Sequence, residues 1–204
     1  MRLITATAIA VAVFGGVAAV GAGAQVAHSS HAKAQAKAHV VADDALPTLQ
    51  LAQARLATAK YANSLDAAKA DGYKILTREI PGMGYHFLNP NVSGFNVRKP
   101  PILVYEKHGS QWQLGALEWV FTSMPATPPL KGAQYGSFPA ACHYADGTFI
   151  PEPAASDCPA TAPDGAAFGF WHPDLVTMHV WLWYPNPDGI YASFNPLVSP
   201  FNDN

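Results

Sequence analysis

The sequence predicts a mainly β protein with one N-terminal helix, an α+β fold whose sheet is an antiparallel barrel or sandwich. Three observations support this prediction. Strong helix formers with apolar residues at helical spacing run from Thr48 to Ala70, and after Gly72 the apolar pattern changes to a period of two. Short strand-like runs then follow one another with tight turns and no intervening helix, which is typical of antiparallel barrels and sandwiches.

The N-terminal residues predict export. Arg2 is followed by an uncharged apolar stretch and by the small residues Gly-Ala-Gly-Ala, so residues 1–24 have the pattern of a signal peptide. Residues 25–46 contain mainly Ala, His, Lys and Gln, and we expect a disordered leader there. Residues 47–204 are then a single β-rich domain, secreted or held in the cell envelope, with no membrane span after the signal is removed.

The composition limits the kind of partner. The net charge of −2 argues against nucleic acid, which requires a clear basic excess in the protein that binds it. Charged residues make up only 13% of the chain, which also contains 18 Pro and 16 Gly, as expected of a loop-rich exported domain. A small molecule therefore remains the expected partner.

The two cysteines predict a structural disulfide. Cys142 and Cys158 are the only cysteines, and an exported chain with one such pair is expected to oxidise it. Closing a loop of this length stabilises the fold by about 3 kcal/mol.

The elements follow in order along the chain. Pro47 suits the first turn of the helix, and Gly72 suits the left-handed residue that ends it. His108-Gly109-Ser110 predicts a hairpin, and the turn at residues 185–189 predicts that the last two strands pair. The predicted strands are Tyr73–Arg78, Met83–Leu88, Pro101–Lys107, Gln111–Ser123, Val176–Tyr184 and Ile190–Phe194, with an additional one near Ala166–Trp171.

Three ionisable residues interrupt these apolar strands: His86, Glu118 and His179. Burying such a side chain without a partner costs several kcal/mol or forces it neutral. Two imidazoles and a carboxylate could instead bind one divalent transition metal, namely Zn, Fe, Mn or Cu, with His172 as an optional fourth ligand. Three protein ligands would leave positions open for water or substrate, so this hypothesis includes both metal binding and catalysis.

Two alternatives remain. The first is a non-catalytic protein that binds a small apolar or aromatic ligand in a barrel lined by Trp112, Trp181 and Trp183. Strict alternation places Trp112 on the same face as Glu118 and so favours that cavity. The second is a structural envelope protein in which the His/Glu/His group is a hydrogen-bonded core cluster.

The blocks MGYHFLNP, ILVYE, LGALEWVF and HVWLWYPNPDGIYASFNP resemble uncharacterised secreted proteins of bacteria, especially of actinobacteria. The resemblance spans about residues 50 to 200 and implies export and a single domain. All three ionisable residues fall inside these blocks. Cupin barrels are a looser comparison, because their His and Glu ligands also lie inside a β-barrel but follow an HxH motif that this sequence does not contain.

Overall fold

The computed structural model describes residues 47–198 and confirms an antiparallel α+β fold with little helix. The signal peptide and leader predicted for residues 1–46 lie outside the described residues. Within residues 47–198, no helix has both the length and the apolar character needed to cross a membrane.

The predicted single helix is divided into two parts. Residues 47–58 form helix α1, which tightens into a 3-10 turn at Ala59–Tyr61, and helix α2 then spans Leu65–Ala70. The prediction of one continuous helix is wrong at Ser64, because this residue is extended and its side chain accepts a hydrogen bond from the Ala67 amide, capping α2.

The end of α2 matches the prediction. Gly72 has a φ of +98°, and the amide of Tyr73 donates to the carbonyl of Ala68, so the chain leaves the helix through a Schellman turn. The first strand begins immediately afterwards.

Nine strands form two antiparallel sheets in the described part of the chain. Six build a curled half-barrel, sheet A, in the order β1-β2-β3-β4-β9-β5, and three build sheet B in the order β7-β6-β8. The strands are β1 Lys74–Ile80, β2 Gly84–Leu88, β3 Ile102–His108, β4 Gln111–Phe121, β5 Gly136–Phe138, β6 Ala141–Tyr144, β7 Phe149–Pro151, β8 Phe168–His172 and β9 Leu175–Val180.

Sheet A is buried on both faces. The helices cover one face, where the Tyr105 hydroxyl donates to the carbonyl of Tyr61 at 2.9 Å and the Trp183 indole donates to Thr58 Oγ1 at 3.0 Å. Sheet B contacts the other face, and His143 on β6 hydrogen bonds to the carbonyl of Leu76 at 3.1 Å. The helices and sheet B therefore enclose sheet A from opposite sides.

A bulge in β4 changes which residues share a face. Tyr105 pairs with Leu114 while the preceding residue of β3 pairs with Ala116, so Gly115 is an extra residue in β4. One added residue reverses the alternation, and Trp112 lies with the helix-side core instead of the face of Glu118. The expectation that Trp112 shares the face of Glu118 is therefore wrong.

The C-terminal pairing also differs from the prediction. Residues Ile190–Phe194 form no strand, because β9 ends at Val180 and the expected partner residues, 181–184, lie outside the sheet. Only one bond of the expected pairing is present, from the Trp181 amide to the Ile190 carbonyl at 2.8 Å. Two residues further on, the amide of Trp183 donates to the carbonyl of Gly115 in the bulge.

Sheet B contains the predicted disulfide. Cys142 on β6 is bonded to Cys158, which follows a 3-10 turn at Ala155–Asp157, and their Cα atoms are 5.7 Å apart. The disulfide is confirmed. Only β8 of this sheet was expected from the sequence, because β6 and β7 are four and three residues long.

Candidate metal centre

The strand register brings the three ionisable residues together. Glu118 on β4 lies directly opposite His179 on β9, and on its other side it pairs with Ile102 of β3. His86 on β2 pairs with Val104, two residues further along β3 on the same face. The three side chains therefore project from the face of sheet A that sheet B covers.

Their ligating atoms converge within the span of one ion. Nε2 of His86 lies 3.5 Å from Oε2 of Glu118, and Nε2 of His179 lies 3.7 Å from Oε1 of the same carboxyl group. One ligand atom of each residue can be chosen so that all lie within 4.8 Å of one another. In a tetrahedral site with bonds of about 2.1 Å, ligand atoms are about 3.4 Å apart, so the carboxyl–imidazole separations fit such a site.

The group is buried, but its members do not satisfy one another. Glu118 and His179 are 4% and 2% exposed, and distances of 3.5 and 3.7 Å are too long for hydrogen bonds. Oε2 of Glu118 and both ring nitrogens of His179 have no hydrogen-bond partner among the described residues. Buried polar atoms without a protein partner are rare in proteins, and these atoms are suited to bind an ion or a water molecule.

Burial also controls the charge of the group. It raises the pKa of Glu118 to about 8 and lowers the pKa of His179 to about 4. Burial, together with the neighbouring His179, lowers the pKa of His86 to about 3. Without an ion, therefore, both imidazoles are neutral at pH 7 and the carboxyl group is mostly protonated.

Thr77 orients one of the imidazoles. It pairs with His86 across β1 and β2, and its Oγ1 lies 2.9 Å from Nδ1 of that ring. When Nδ1 donates to this hydroxyl, Nε2 keeps its lone pair on the side of Glu118, which is the arrangement of a metal-binding histidine with an outer partner. Thr77 was not predicted from the sequence as a site residue, although period-two alternation across a hairpin could have paired it with β2.

A cavity of about 140 Å³ adjoins the group. Its lining combines the three ionisable residues with apolar side chains from both sheets, including Ile80, Ile102, Val120, Phe138, Phe170 and Leu175. His172, at the end of β8, also lines this cavity but is not a member of the group whose ligand atoms lie within 4.8 Å. It therefore lies at the wall of the cavity instead of completing the ligand set.

The three tryptophans that were predicted to line a ligand pocket lie away from this cavity. Trp112 packs against Tyr85 with ring centroids 4.9 Å apart, and Trp183 stacks under the guanidinium of Arg55 at 4.3 Å. Trp181 is buried, and its indole donates to the carbonyl of Ala192. None of the three is among the residues that line the cavity beside the His/Glu/His group.

Fold and site together define an antiparallel α+β protein with a buried His/Glu/His group at the wall of an apolar cavity. Comparison with protein-family models, with curated proteins and with solved structures finds no match to this chain.

Proposed function

We propose that this protein binds one divalent transition metal ion through His86, Glu118 and His179. The observation that supports the proposal is the convergence of buried ligand atoms that have the separation of a coordination sphere and lack hydrogen bonds to one another. Two imidazole nitrogens and one carboxylate suit Zn, Fe, Mn or Cu. When bound, the ion would supply a Lewis acid with coordination positions open to water or a small molecule.

The alternative of a purely structural core cluster accounts less well for the same atoms. In a stable polar core, the carboxyl group would donate to one imidazole at about 2.7 Å and each ring nitrogen would have a partner. Here Glu118 is farther than that from both imidazoles, and both nitrogens of His179 lack a partner within residues 47–198. A metal ion would satisfy these atoms together.

Elemental analysis of the untagged mature protein tests the proposal. After incubation with Zn, Mn, Fe or Cu and removal of excess ion, we expect close to one ion per chain in the wild type. The His86→Ala/His179→Ala double variant should retain less than a tenth of it. Because the predicted leader contains His28, His31 and His39, a variant with these three changed to Ala is the matched control and should bind like the wild type.

Two results would contradict metal binding at this site. One is a wild type that is folded, as judged by circular dichroism, yet takes up none of the four metals. The other is equal uptake by the folded double variant, which would place the ion elsewhere.

We further propose that the protein acts outside the cytoplasm. The support is the disulfide, which persists in oxidising compartments, together with the predicted signal peptide. Mass spectrometry of the protein isolated from its producing cell tests this. A mature N-terminus near residue 25 is expected, and a chain that retains residues 1–24 would contradict cleavage.

A further inference from the structure

The cavity beside the His/Glu/His group has the size of a single small ring. Its volume is about 140 Å³. An apolar protein cavity of about 150 Å³ is sufficient to bind benzene, so one six-membered ring fills this space and a two-ring compound exceeds it.

In the metal-free protein, the side chains that line the cavity disfavour anionic ligands. Nine of its sixteen lining residues are aliphatic, thioether or aromatic, and none is Lys or Arg. A ligand carboxylate or phosphate would therefore lose its hydration without gaining a cationic side chain, which is costly. The ligand that fits these walls is uncharged and mostly apolar.

Besides the unpartnered atoms of Glu118 and His179, the cavity lining contains one more buried polar atom without a hydrogen-bond partner among the described residues, Nε2 of His172. Nδ1 of His172 lies 2.6 Å from the carbonyl of Pro173 and must donate to it, because a carbonyl only accepts. In the neutral ring, Nε2 then carries the lone pair, and this nitrogen is buried without a hydrogen-bond partner among the described residues. His172 is 8% exposed and is one of the residues that line the cavity, so Nε2 of its neutral imidazole can accept a hydrogen bond from a ligand.

We infer that the cavity binds a small uncharged compound with a single ring and a hydroxyl group, and that the hydroxyl donates to Nε2 of His172. The inference rests on the proposed function, because such a ligand would lie beside the open coordination positions of the ion. It assigns a class of small molecule to that site. His172 then accepts a hydrogen bond from this molecule and does not bind the metal.

Three probes test the ligand class: phenol, toluene and benzoate. Their affinities are measured by NMR titration of the full mature protein, once after chelation and once loaded with zinc, following the methyl signals of Val120 and Leu175 in the cavity wall. We expect phenol and toluene to bind the chelated protein and benzoate to bind it at least tenfold more weakly than phenol. Equal binding of benzoate to the chelated protein would overturn the requirement for an uncharged ligand.

The dissociation constant of phenol divided by that of toluene tests the hydrogen bond between the ligand hydroxyl and Nε2 of His172. His172→Phe keeps a ring at this position but removes the acceptor, so the ratio should rise about three- to tenfold. His143→Phe is the matched control, because His143 also has an unpartnered Nε2 and its ring centroid is 5.0 Å from that of His172, but it does not line this cavity. An unchanged ratio in His172→Phe, or an equal rise in His143→Phe, would overturn the role of His172.

A cavity-filling variant separates this inference from metal binding. Val120→Phe should weaken both phenol and toluene at least tenfold while zinc stoichiometry stays at one, and Val92→Phe, in a loop away from the cavity, should change neither. Zinc binding without binding of phenol or toluene would overturn the ligand class and leave the proposed function standing. Binding of both compounds by a chain that takes up no metal would overturn the proposed function alone.

Discussion

At the scale of single residues, the protonation state of Glu118 determines how the candidate metal centre would bind an ion. Glu118 is buried with pKa raised to about 8, so without an ion the folded protein holds a proton on it at neutral pH. A metal ligand must give up that proton, because a carboxylate binds a cation in its ionised form. The proton and the ion therefore compete for the same carboxyl group.

This competition predicts a steep pH dependence of metal affinity. Between about pH 5 and pH 8, the association constant for zinc should rise close to tenfold per pH unit, since one proton leaves Glu118 per ion bound, and it should level off above pH 8. His86 and His179 do not contribute in this range, because burial already keeps their pKa values at about 3 and 4. Isothermal titration calorimetry in buffers of different ionisation enthalpy would count the released proton.

Glu118→Gln is the control for this pH dependence. The amide keeps the size of the side chain but has no proton to release, so zinc binding should be weaker and nearly independent of pH from 5 to 8. A slope that persists in Glu118→Gln would assign the titrating group to another residue.

The sequence was sufficient to predict the three residues of the candidate metal centre but not their surroundings. His86, Glu118 and His179 are recognisable because each interrupts an apolar run on a predicted strand. The cavity wall comes partly from short segments such as Phe138 on β5, a strand of three residues, and alternation cannot be detected over three residues. His172 was expected at the site, but only the fold shows that its Nδ1 is engaged by the adjacent carbonyl.

At the scale of elements, the alternation of apolar and polar residues predicts the long strands well. It fails where a bulge or a helix cap interrupts the regular backbone. The predicted span Met83–Leu88 differs from β2 by one residue, and the predicted hairpin at Gly109 joins β3 to β4. The bulge at Gly115 cannot be predicted from the residue pattern of β4 alone, because its position depends on the pairing with β3. The helix break at Ser64 was likewise not predicted, because the residues around it are strong helix formers. The break depends on one local hydrogen bond, from the Ala67 amide to the Ser64 side chain.

The start of β2 depends on a glycine, and a pair of substitutions tests this. Gly84 has a φ of +98°, and a Cβ added there would lie 2.4 Å from the backbone oxygen of Tyr105. Gly109, at the hairpin tip, also has a positive φ, of +59°, but has open space around it. Gly109→Ala should cost about 1 kcal/mol of unfolding free energy, whereas Gly84→Ala should cost about 3 kcal/mol or more, because the steric clash adds to the backbone strain.

Urea denaturation of both variants measures the difference. Because Gly84 lies two residues before His86 on the same strand, Gly84→Ala should also weaken zinc binding, while Gly109→Ala should leave it unchanged. Equal destabilisation by the two substitutions would mean that β2 shifts away from β3 without cost.

At the scale of the whole molecule, sheet B covers the face of sheet A that carries the site. Arg78 on β1 forms ion pairs with Asp146 and Asp164, and the amide of Arg78 donates to the carbonyl of Gly147 at 2.8 Å. The disulfide fixes the loop that follows β7. The strands of sheet A thus carry His86, Glu118 and His179, and sheet B supplies part of the cavity wall.

The balance of buried ionisable groups predicts how stability changes with pH in the metal-free protein. Burial raises the pKa of Glu106 and of Glu118 to about 8, so each holds a proton in the folded state that it loses on unfolding. Stability from these groups is fully present below about pH 4.5 and is lost as the pH rises through 8. The buried histidines, with lowered pKa values, act in the opposite direction, but only below about pH 6.5, where unfolded histidine becomes charged.

Between pH 6.5 and 8 the two glutamates therefore dominate, and the melting temperature of the chelated protein should fall by about 5 °C for each of them. Zinc removes the contribution of Glu118, because the bound carboxylate is ionised in the folded state, and Glu106→Gln removes that of Glu106. Differential scanning calorimetry should accordingly show about half the fall with either change alone and almost none with both. A chelated wild type whose melting temperature is constant over this range would show that neither carboxyl group holds its proton in the folded protein.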